Sequence, residues 1–496
     1  MNVPEIRIRQ LTDRPVNDSG DYVLYWMTAF RRAHYNFSLQ RAAEWASELD
    51  KPLLVFEALR CDYQWASHRL HRFVIEGMRD NAADFADQRL TYYPYLEEEQ
   101  GGGKGLIREL TKNACVLVSD DFPCFFLPRM FAAVDKRLDI KFELVDSNGL
   151  YPMHATDKVF SRAFDLRRHL QKELLPHLAE PPKRSPLKGY ALAELDALPK
   201  KITKEWKPAD LDAALDGDKF LSKLPIDHDV RPAPITGGSH AGRKQLEDFL
   251  KNKLSGYGEL RNQPQEDAAS GLSPYLHFGH VSVHEVFAEL VDQEEWNPSK
   301  VSGKVNGSRD GWWGLDESVE GFLDEIITWR ELGLNMSSHR DDYDQYESLP
   351  DWAQATLAEH ADDQREHTYT LEEFEQANTH NDLWNAAQRQ LVRDGSIHNY
   401  LRMLWGKKIL HWSKSPREAL AIMIELNNKY AVDGRNPNSY SGIFWTLGRY
   451  DRAWGPEREI FGKIRYMTCD NTARKVKVDK YLQKYSAGGS QGEFDF

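Results

Sequence analysis

The sequence predicts an N-terminal α/β domain built on a doubly wound parallel sheet, followed by an all-α C-terminal domain. Three observations predict this. Apolar β-type runs alternate with helical patterns up to about residue 175; prolines and charges then accumulate without strand pattern; from about residue 231 strand signals nearly vanish. The 496 residues also exceed one ordinary core, which agrees with two or three domains.

In order, "YVLYWMT" (22–28), "PLLVFEAL" (52–59), "RLTYYPYL" (89–96), "ACVLVS" (114–119) and "IKFELVD" (140–146) are expected as buried strands. Between them, 37–49, 63–85 and 124–137 carry helical periodicity, and this alternation implies a parallel sheet. Such a sheet binds ligands at its carboxyl edge, but no G-x-G-x-x-G follows the first strand, so no dinucleotide is expected on this domain. "EEEQGGGKG" (97–105) reads as a loop, because it lacks P-loop spacing. The α/β domain is placed at 1–175, an interdomain linker running over the surface at 176–230, the helical domain at 231–486 and a flexible tail at 487–496. In that tail Gln491, Phe494 and Phe496 loosely resemble the C-terminal peptides that dock on replication sliding clamps, and a frayed terminus is the simpler reading.

With 64 basic and 77 acidic residues the net charge is −13, so nucleic-acid binding requires a local basic face. Cys61, Cys115, Cys124 and Cys469 form no C-x-x-C pair, which argues against a disulfide framework, a zinc ribbon and an iron–sulfur cluster. No metal site is expected. No apolar run approaches ~18 residues, and a soluble, cytosolic monomer is the expectation.

Four stretches carry candidate chemistry. In "SGLSPYLHFG", Ser270, Gly271 and Ser273 precede a helical run, a place where hydroxyls and backbone N–H groups bind phosphate and where ordinary caps also occur. In "FLDEIITWRELGLNM", Glu325 and Trp329 are four apart on one helical face; a carboxyl beside a ring in a partly dry pocket keeps its proton more readily, whereas on a solvated face it does not. In "LWNAAQRQLVRDGSIHNYLRMLWGKKILHW", "RDGS" separates a helix carrying Trp384 from one over 397–412, on which Trp405 and Trp412 lie two turns apart within ring-to-ring reach. Tryptophans so spaced suit a core as well as an electron relay. Over 425–467 apolar pattern, helical or strand, fails. There and just beyond it Arg449, Arg452, Arg458, Lys463, Arg465, Arg474, Lys475 and Lys477 interleave with Trp445, Tyr450 and Trp454, which suits a nucleic-acid backbone with stacked bases, or a solvated face.

Taken together, "SGLSPYLHFG", "LWNAAQ", "RMLWGKKILHW", "LNNKYAVDGRNPN" and "GKIRYM" resemble the photolyase/cryptochrome flavoproteins, closest to the class II cyclobutane pyrimidine dimer photolyases, over nearly the whole chain. The resemblance implies a U-shaped FAD in the helical domain, active when reduced and anionic. It implies a phosphate-binding turn at Ser270, Gly271, Leu272 and Ser273, and further cofactor contacts at Tyr257, Arg330, Arg402, Asp433 and Asn438. It also implies an Arg402–Asp433 ion pair, Asn427 facing flavin N5, and a relay running Trp405, Trp384, Trp412 with the last at the surface. Glu325, Trp329, Met403 and Trp445 are implied to receive a dimer flipped out of UV-damaged DNA, with Arg452 nearby. Two departures stand out. "WMTAFRRAHYNFSLQRA" keeps Asn36 but puts Tyr35 where class II members carry Asp, which leaves an antenna chromophore in the α/β domain undecided. "LGRYDRAW" is one residue shorter than the glycine-rich version. A cryptochrome-like light receptor without repair, and a flavoprotein of dark electron transfer, are the competing readings.

Overall fold

The computed structural model describes residues 2–487. The expected strands form as β2 (Tyr22–Met27), β3 (Leu53–Leu59), β4 (Thr91–Leu96), β5 (Ala114–Asp120) and β6 (Phe142–Val145). A short β1 (Ile8–Gln10) precedes them. The sheet order is β1-β6-β5-β2-β3-β4, with β1 antiparallel to β6 and every other pair parallel. The sheet is therefore mixed at one edge. Nothing local marked β1, because three half-exposed or exposed residues carry too little alternation to register.

β2 and β5 are buried at every position, since helices cover both faces. α1 (Phe37–Glu48) starts at Asn36, whose side chain accepts from the Leu39 N–H at 3.1 Å. α2 (His68–Phe85) is capped in the same way by Ser67. α3 (Leu106–Lys112), α4 (Leu127–Asp135) and α5 (Ala163–Leu178) complete this half.

The strand order reverses between β5 and β2, where a crevice opens at the carboxyl ends of such sheets. Here the backbone N–H groups that follow β2 are taken by the chain itself. Asp120 Oδ2 accepts from the backbone N–H groups of Thr28, Ala29 and Phe30 at 2.8, 2.7 and 2.9 Å, and Tyr25 donates to Oδ1 at 2.8 Å. The absence of a glycine-rich fingerprint after β2 has this physical counterpart.

The 176–230 segment is more than a surface strap. Leu198, Ile202 and Trp206 are buried in the α/β core, and the Trp206 indole donates to the Gly102 carbonyl at 2.9 Å. α5, which spans the expected boundary at 175, buries Leu166, Leu170 and Leu174 in the core of the helical half. Its Arg167 also forks onto Asp324 at 2.8 and 2.9 Å. Proline and charge density read as a linker because they report the exposed side of a segment whose scattered apolar residues do the packing.

All strands among the described residues lie in the N-terminal half. In the helical half, Pro416–Tyr430 and Pro437–Thr446 are helices, so 425–430 and 437–446 are regular, contrary to the pattern-based expectation, while 447–467 holds no helix or strand. The reason is visible at Asn427 and Asn428. Both are buried, and Asn427 Nδ2 donates to Asn428 Oδ1 at 3.2 Å and to Ser439 Oγ at 2.5 Å. Polar residues that satisfy one another inside a core erase the apolar stripe by which a helix is recognised. Among the described residues all four cysteines are free and buried, no helix is long and apolar enough to cross a membrane, and no metal-holding group of His, Cys, Asp and Glu occurs.

The two halves are joined by buried polar links. Arg32 Nη1 donates to the Gly279 carbonyl at 2.9 Å, and Arg69 donates to the carbonyls of Tyr430 and Val392, each at 2.6 Å. The Glu331 carboxylate accepts from the Tyr151 N–H at 3.1 Å and crowds Gly149, where a Cβ would meet it at 2.3 Å. Burial raises the Glu331 pKa to about 7, against the lowering effect of the Tyr151 bond. A carboxyl raised in the fold stabilises it at acid pH and loses that contribution as pH climbs through its folded pKa. Glu331→Gln, which keeps the acceptor and removes the charge, should therefore gain on the native protein by on the order of 2 kcal/mol from about pH 5 to about pH 8 in urea unfolding.

Candidate cofactor and nucleic-acid site

The site is assembled on the helix Asn399–Trp412. Arg402 forms an ion pair with Asp433 at 3.2 Å, and Ser273 donates to Asp433 Oδ2 at 2.7 Å. Asp433 belongs to the turn joining the two helices Pro416–Tyr430 and Pro437–Thr446. Its carbonyl accepts from Asn436, which caps the second helix by accepting from Ser439 N–H at 2.8 Å, while Ser439 Oγ receives Asn427. One chain of bonds thus gathers Ser273, Arg402, Asn427 and Asp433.

The turn before Ser273 presents Gly271 in the left-handed region at φ +66°, and Gln245 holds the Ser270 carbonyl at 2.8 Å. Gly271 and Ser273 are exposed, and Leu272 anchors the turn in the core. Asn438 lies on the helix Pro437–Thr446, which packs on Arg330–His339. Tyr257 is buried beside the Arg261 guanidinium, 5.4 Å from its ring centroid, and burial pushes its pKa up to about 12.

Whether these residues fit a bound cofactor is tested by their unmet bonding capacity. Arg330 Nε, Arg402 Nε and Asn438 Oδ1 are buried without a hydrogen-bond partner. Buried polar atoms are normally paired, so three orphans on residues expected around a flavin mark a place for a polar ligand. The residues present fit FAD.

Between 321 and 330 every residue is buried except Glu325, Trp329 and Arg330, which share the open side of a helix that widens into a π-type turn over Glu325–Trp329. About a third of the Glu325 side chain is exposed, and Arg261 binds it at 2.6 Å. Burial raises its pKa, with Arg261 pulling the other way and Asp324 adding to the rise. Arg261 was not anticipated, since its partner is 64 residues away and no local spacing pairs them.

Met403 and Trp445 line a cleft of about 330 Å³ with Tyr400, Trp454 and Arg465; Glu325 and Trp329 lie outside that lining. Arg465 stands 5.6 Å from the Trp445 ring centroid and 5.0 Å from that of Trp454, and Arg452 stands 4.6 Å from Trp454. Arg452 and Arg465 are exposed, as a phosphate-contacting face requires. Arg449 leaves that face: it is 2 % exposed, 3.6 Å from the Phe444 ring centroid, and donates to the Tyr343 carbonyl at 2.8 Å. Tyr450 is likewise buried. Beneath the cleft the buried Lys407 donates to the Thr446 carbonyl at 2.7 Å, and burial lowers its pKa to about 7.

The tryptophans form a bonded set. Trp405 Nε1 donates to Gln388 at 2.9 Å, Trp384 Nε1 donates to the Trp405 carbonyl at 3.0 Å, and the rings of Trp384 and Trp412 stand 6.1 Å apart. The ring beside Trp412 is therefore that of Trp384 on the neighbouring helix. Trp412 is 4 % exposed, not at the surface, because Tyr369, His380, His411 and Lys408 cover it.

No family model matches the sequence. The chain is 34% identical to a deoxyribodipyrimidine photo-lyase of Methanothermobacter thermautotrophicus, over 96% of this chain and 97% of the relative. It is 33% identical to that of Arabidopsis thaliana (95% and 90% covered) and 31% identical to that of Potorous tridactylus (97% and 84% covered). A solved class III photolyase from Agrobacterium tumefaciens superposes with a TM-score of 0.66 at 16% identity, covering 94% of this chain and 86% of that one, which shows the fold. The chain belongs to the deoxyribodipyrimidine photolyase family, whose members are light-dependent DNA-repair lyases.

Two expectations follow from the geometry. Arg261→Gln should raise the Glu325 pKa, because the cation that lowers it is removed, read as an upward shift in carboxyl infrared titration. Arg465→Ala should weaken binding to damaged and undamaged DNA alike and reduce the salt slope by about one, in titrations at several ionic strengths.

Proposed function

We propose that this chain splits cyclobutane pyrimidine dimers in UV-damaged DNA using FAD and light, as a divergent member near class II. The observation that carries the proposal is that one helix, Asn399–Trp412, supplies Arg402 to the Asp433 knot, Met403 to the cleft, and Trp405 and Trp412 to the buried aromatic path.

The chemistry supplied by bound, fully reduced FAD is light-driven donation of one electron to the dimer and its recovery after the ring opens. The rest falls to the protein. Ser270, Gly271, Leu272 and Ser273 would hold the phosphates at the exposed turn; Tyr257, Arg330, Arg402, Asp433 and Asn438 would fix the remaining polar edges, and Asn427 would stand at the flavin ring. Asn427 is oriented by Ser439 and Asn428, so its carbonyl side is free to turn towards the ring system.

A dimer must leave the stack to approach the flavin, at a cost its weakened pairing keeps small. Met403 and Trp445 give it an apolar berth, while Arg452 and Arg465 neutralise the flanking backbone. Glu325, whose pKa burial raises and the Arg261 guanidinium bonded to it lowers, acts on a pyrimidine carbonyl on which negative charge grows. Trp405, Trp384 and Trp412 carry electrons inwards when the flavin arrives oxidised. A candidate berth for an antenna chromophore is an aromatic-lined cavity of about 130 Å³ between the sheet's carboxyl edge and His277, Phe278 and Arg435. A near-ultraviolet band beyond the flavin's own would reveal one.

The test is blue-light illumination of a dimer-containing oligonucleotide with the reduced protein, following dimer loss. No loss would overturn the repair reading in favour of a light receptor, and turnover in the dark would point to a dark electron-transfer protein. Glu325→Ala should lower repair yield about tenfold while changing DNA affinity little, as expected of a group acting on developing charge. Trp405→Phe should abolish photoreduction of the oxidised protein and leave repair by chemically reduced protein nearly intact, measured on one preparation.

A further inference from the structure

The outermost tryptophan has no surface of its own. Trp412 is 4 % exposed, so a dissolved reductant cannot touch its ring, and an electron hole arriving there needs another way out. What covers it is a set of oxidisable and titratable side chains. The Tyr369 ring stands edge-on at 5.9 Å, His380 edge-on at 4.8 Å and His411 nearly parallel at 6.2 Å. The Lys408 ammonium lies 5.5 Å from the same ring centroid. A neighbouring cation makes a positive hole on Trp412 less stable and favours its passage outwards.

Tyr369 is fastened to this tryptophan by its own backbone, its N–H donating to the Trp412 carbonyl at 2.9 Å. Its phenolic oxygen accepts from the His380 backbone N–H at 3.0 Å and lies 2.7 Å from His380 Nδ1. With His380 carrying its ring proton on Nε2, the phenol donates its own proton to Nδ1 along this short contact. His380 is held neutral: burial lowers its pKa, and His367 and Lys408 lower it further, against Glu366. His367 stacks on it with ring centroids 3.9 Å apart, and Glu366 lies 3.8 Å from His367. Neutral imidazole with Nδ1 unprotonated is a proton acceptor. Tyr369 is half-buried and His380 exposed, so this pair reaches the solvent that Trp412 does not.

We propose that Tyr369 and His380 form the outer end of the electron relay. One electron passes from the Tyr369 phenol to the Trp412 radical cation while the phenolic proton passes to His380 Nδ1, leaving neutral Trp412, a neutral tyrosyl radical and an imidazolium. The hole originates in photoreduction of oxidised flavin through Trp405 and Trp384. A dissolved thiolate then returns one electron to the tyrosyl radical, His380 returns the proton, and the thiolate becomes a thiyl radical. Phenol oxidation without proton loss creates a phenol cation; the short bond to an unprotonated imidazole avoids it. Tyr369 and His380 lie 43 and 32 residues before Trp412, so nothing in their spacing announced the arrangement.

This inference rests on the relay reading of Trp405, Trp384 and Trp412, and the experiment separates the two. The full-length, FAD-loaded, oxidised protein is flashed in dilute thiol and followed by transient absorption and electron paramagnetic resonance, in water and in heavy water. The expected result is a tryptophan radical cation giving way to a tyrosyl radical, with a slower transfer in heavy water. Tyr369→Phe, which keeps the ring and the backbone bond, should abolish the tyrosyl signal. His380→Gln should slow its appearance by at least about tenfold, the scale of a positioned base. In both variants the charge separation should recombine before thiol reacts, and steady photoreduction should fall. A tryptophan radical of unchanged lifetime in Tyr369→Phe, or only tryptophan radicals in the native protein, overturns the tyrosine step. Native-level photoreduction in Trp412→Phe overturns the relay reading instead.

Discussion

The Arg402–Asp433 ion pair, with Ser273 donating to the same carboxylate, is the contact on which the site depends. It ties a turn near residue 270 to a helix near 400 and a turn near 433. Asp433 also accepts nothing it could exchange for water cheaply, since it is buried and its two partners approach from different elements. Removing one partner of such a buried pair leaves an uncompensated charge, which costs more than the pair itself contributes. The knot therefore confers position more than stability. Through Asn436 and Ser439 the same network reaches Asn427, so four candidate cofactor residues share one set of bonds.

From that knot the helix Asn399–Trp412 distributes three tasks by its own periodicity. Arg402 and Met403 are adjacent and point towards knot and cleft respectively, Trp405 turns into the core, and Trp412 is reached two turns later. The helix is buried on most sides from Leu404 onwards, Lys407 and Lys408 included, as a central helix surrounded by partners is. Positioning by a rigid, enclosed helix is what a site with several simultaneous geometric demands requires.

Much of this was legible in the residues. The five main strands follow from short apolar runs, because burial on both faces leaves no alternation, and α1, α2 and α4 follow from period-3.6 patterns. The break at "RDGS" is equally local, with Gly395 adopting the left-handed conformation that ends a helix. Beyond periodicity, the resemblance carried the individual residues, and spacing alone did not distinguish a tryptophan relay from a tryptophan core. The helices Pro416–Tyr430 and Pro437–Thr446 were obscured because their buried asparagines pair with each other, a satisfaction visible only in three dimensions.

The sequence by itself determined the fold class, the order of the two halves and the residue types available for each role, since these depend on local pattern and composition. Tertiary structure alone decided that Arg261 binds Glu325, that Arg449 is a buried prop instead of a DNA contact, and that the 176–230 segment packs into a core. It also decided that Trp412 lies beneath Tyr369 and His380. Each of these is a pairing across tens to hundreds of residues, and the energy of such a contact depends on distance in space, which no spacing along the chain encodes.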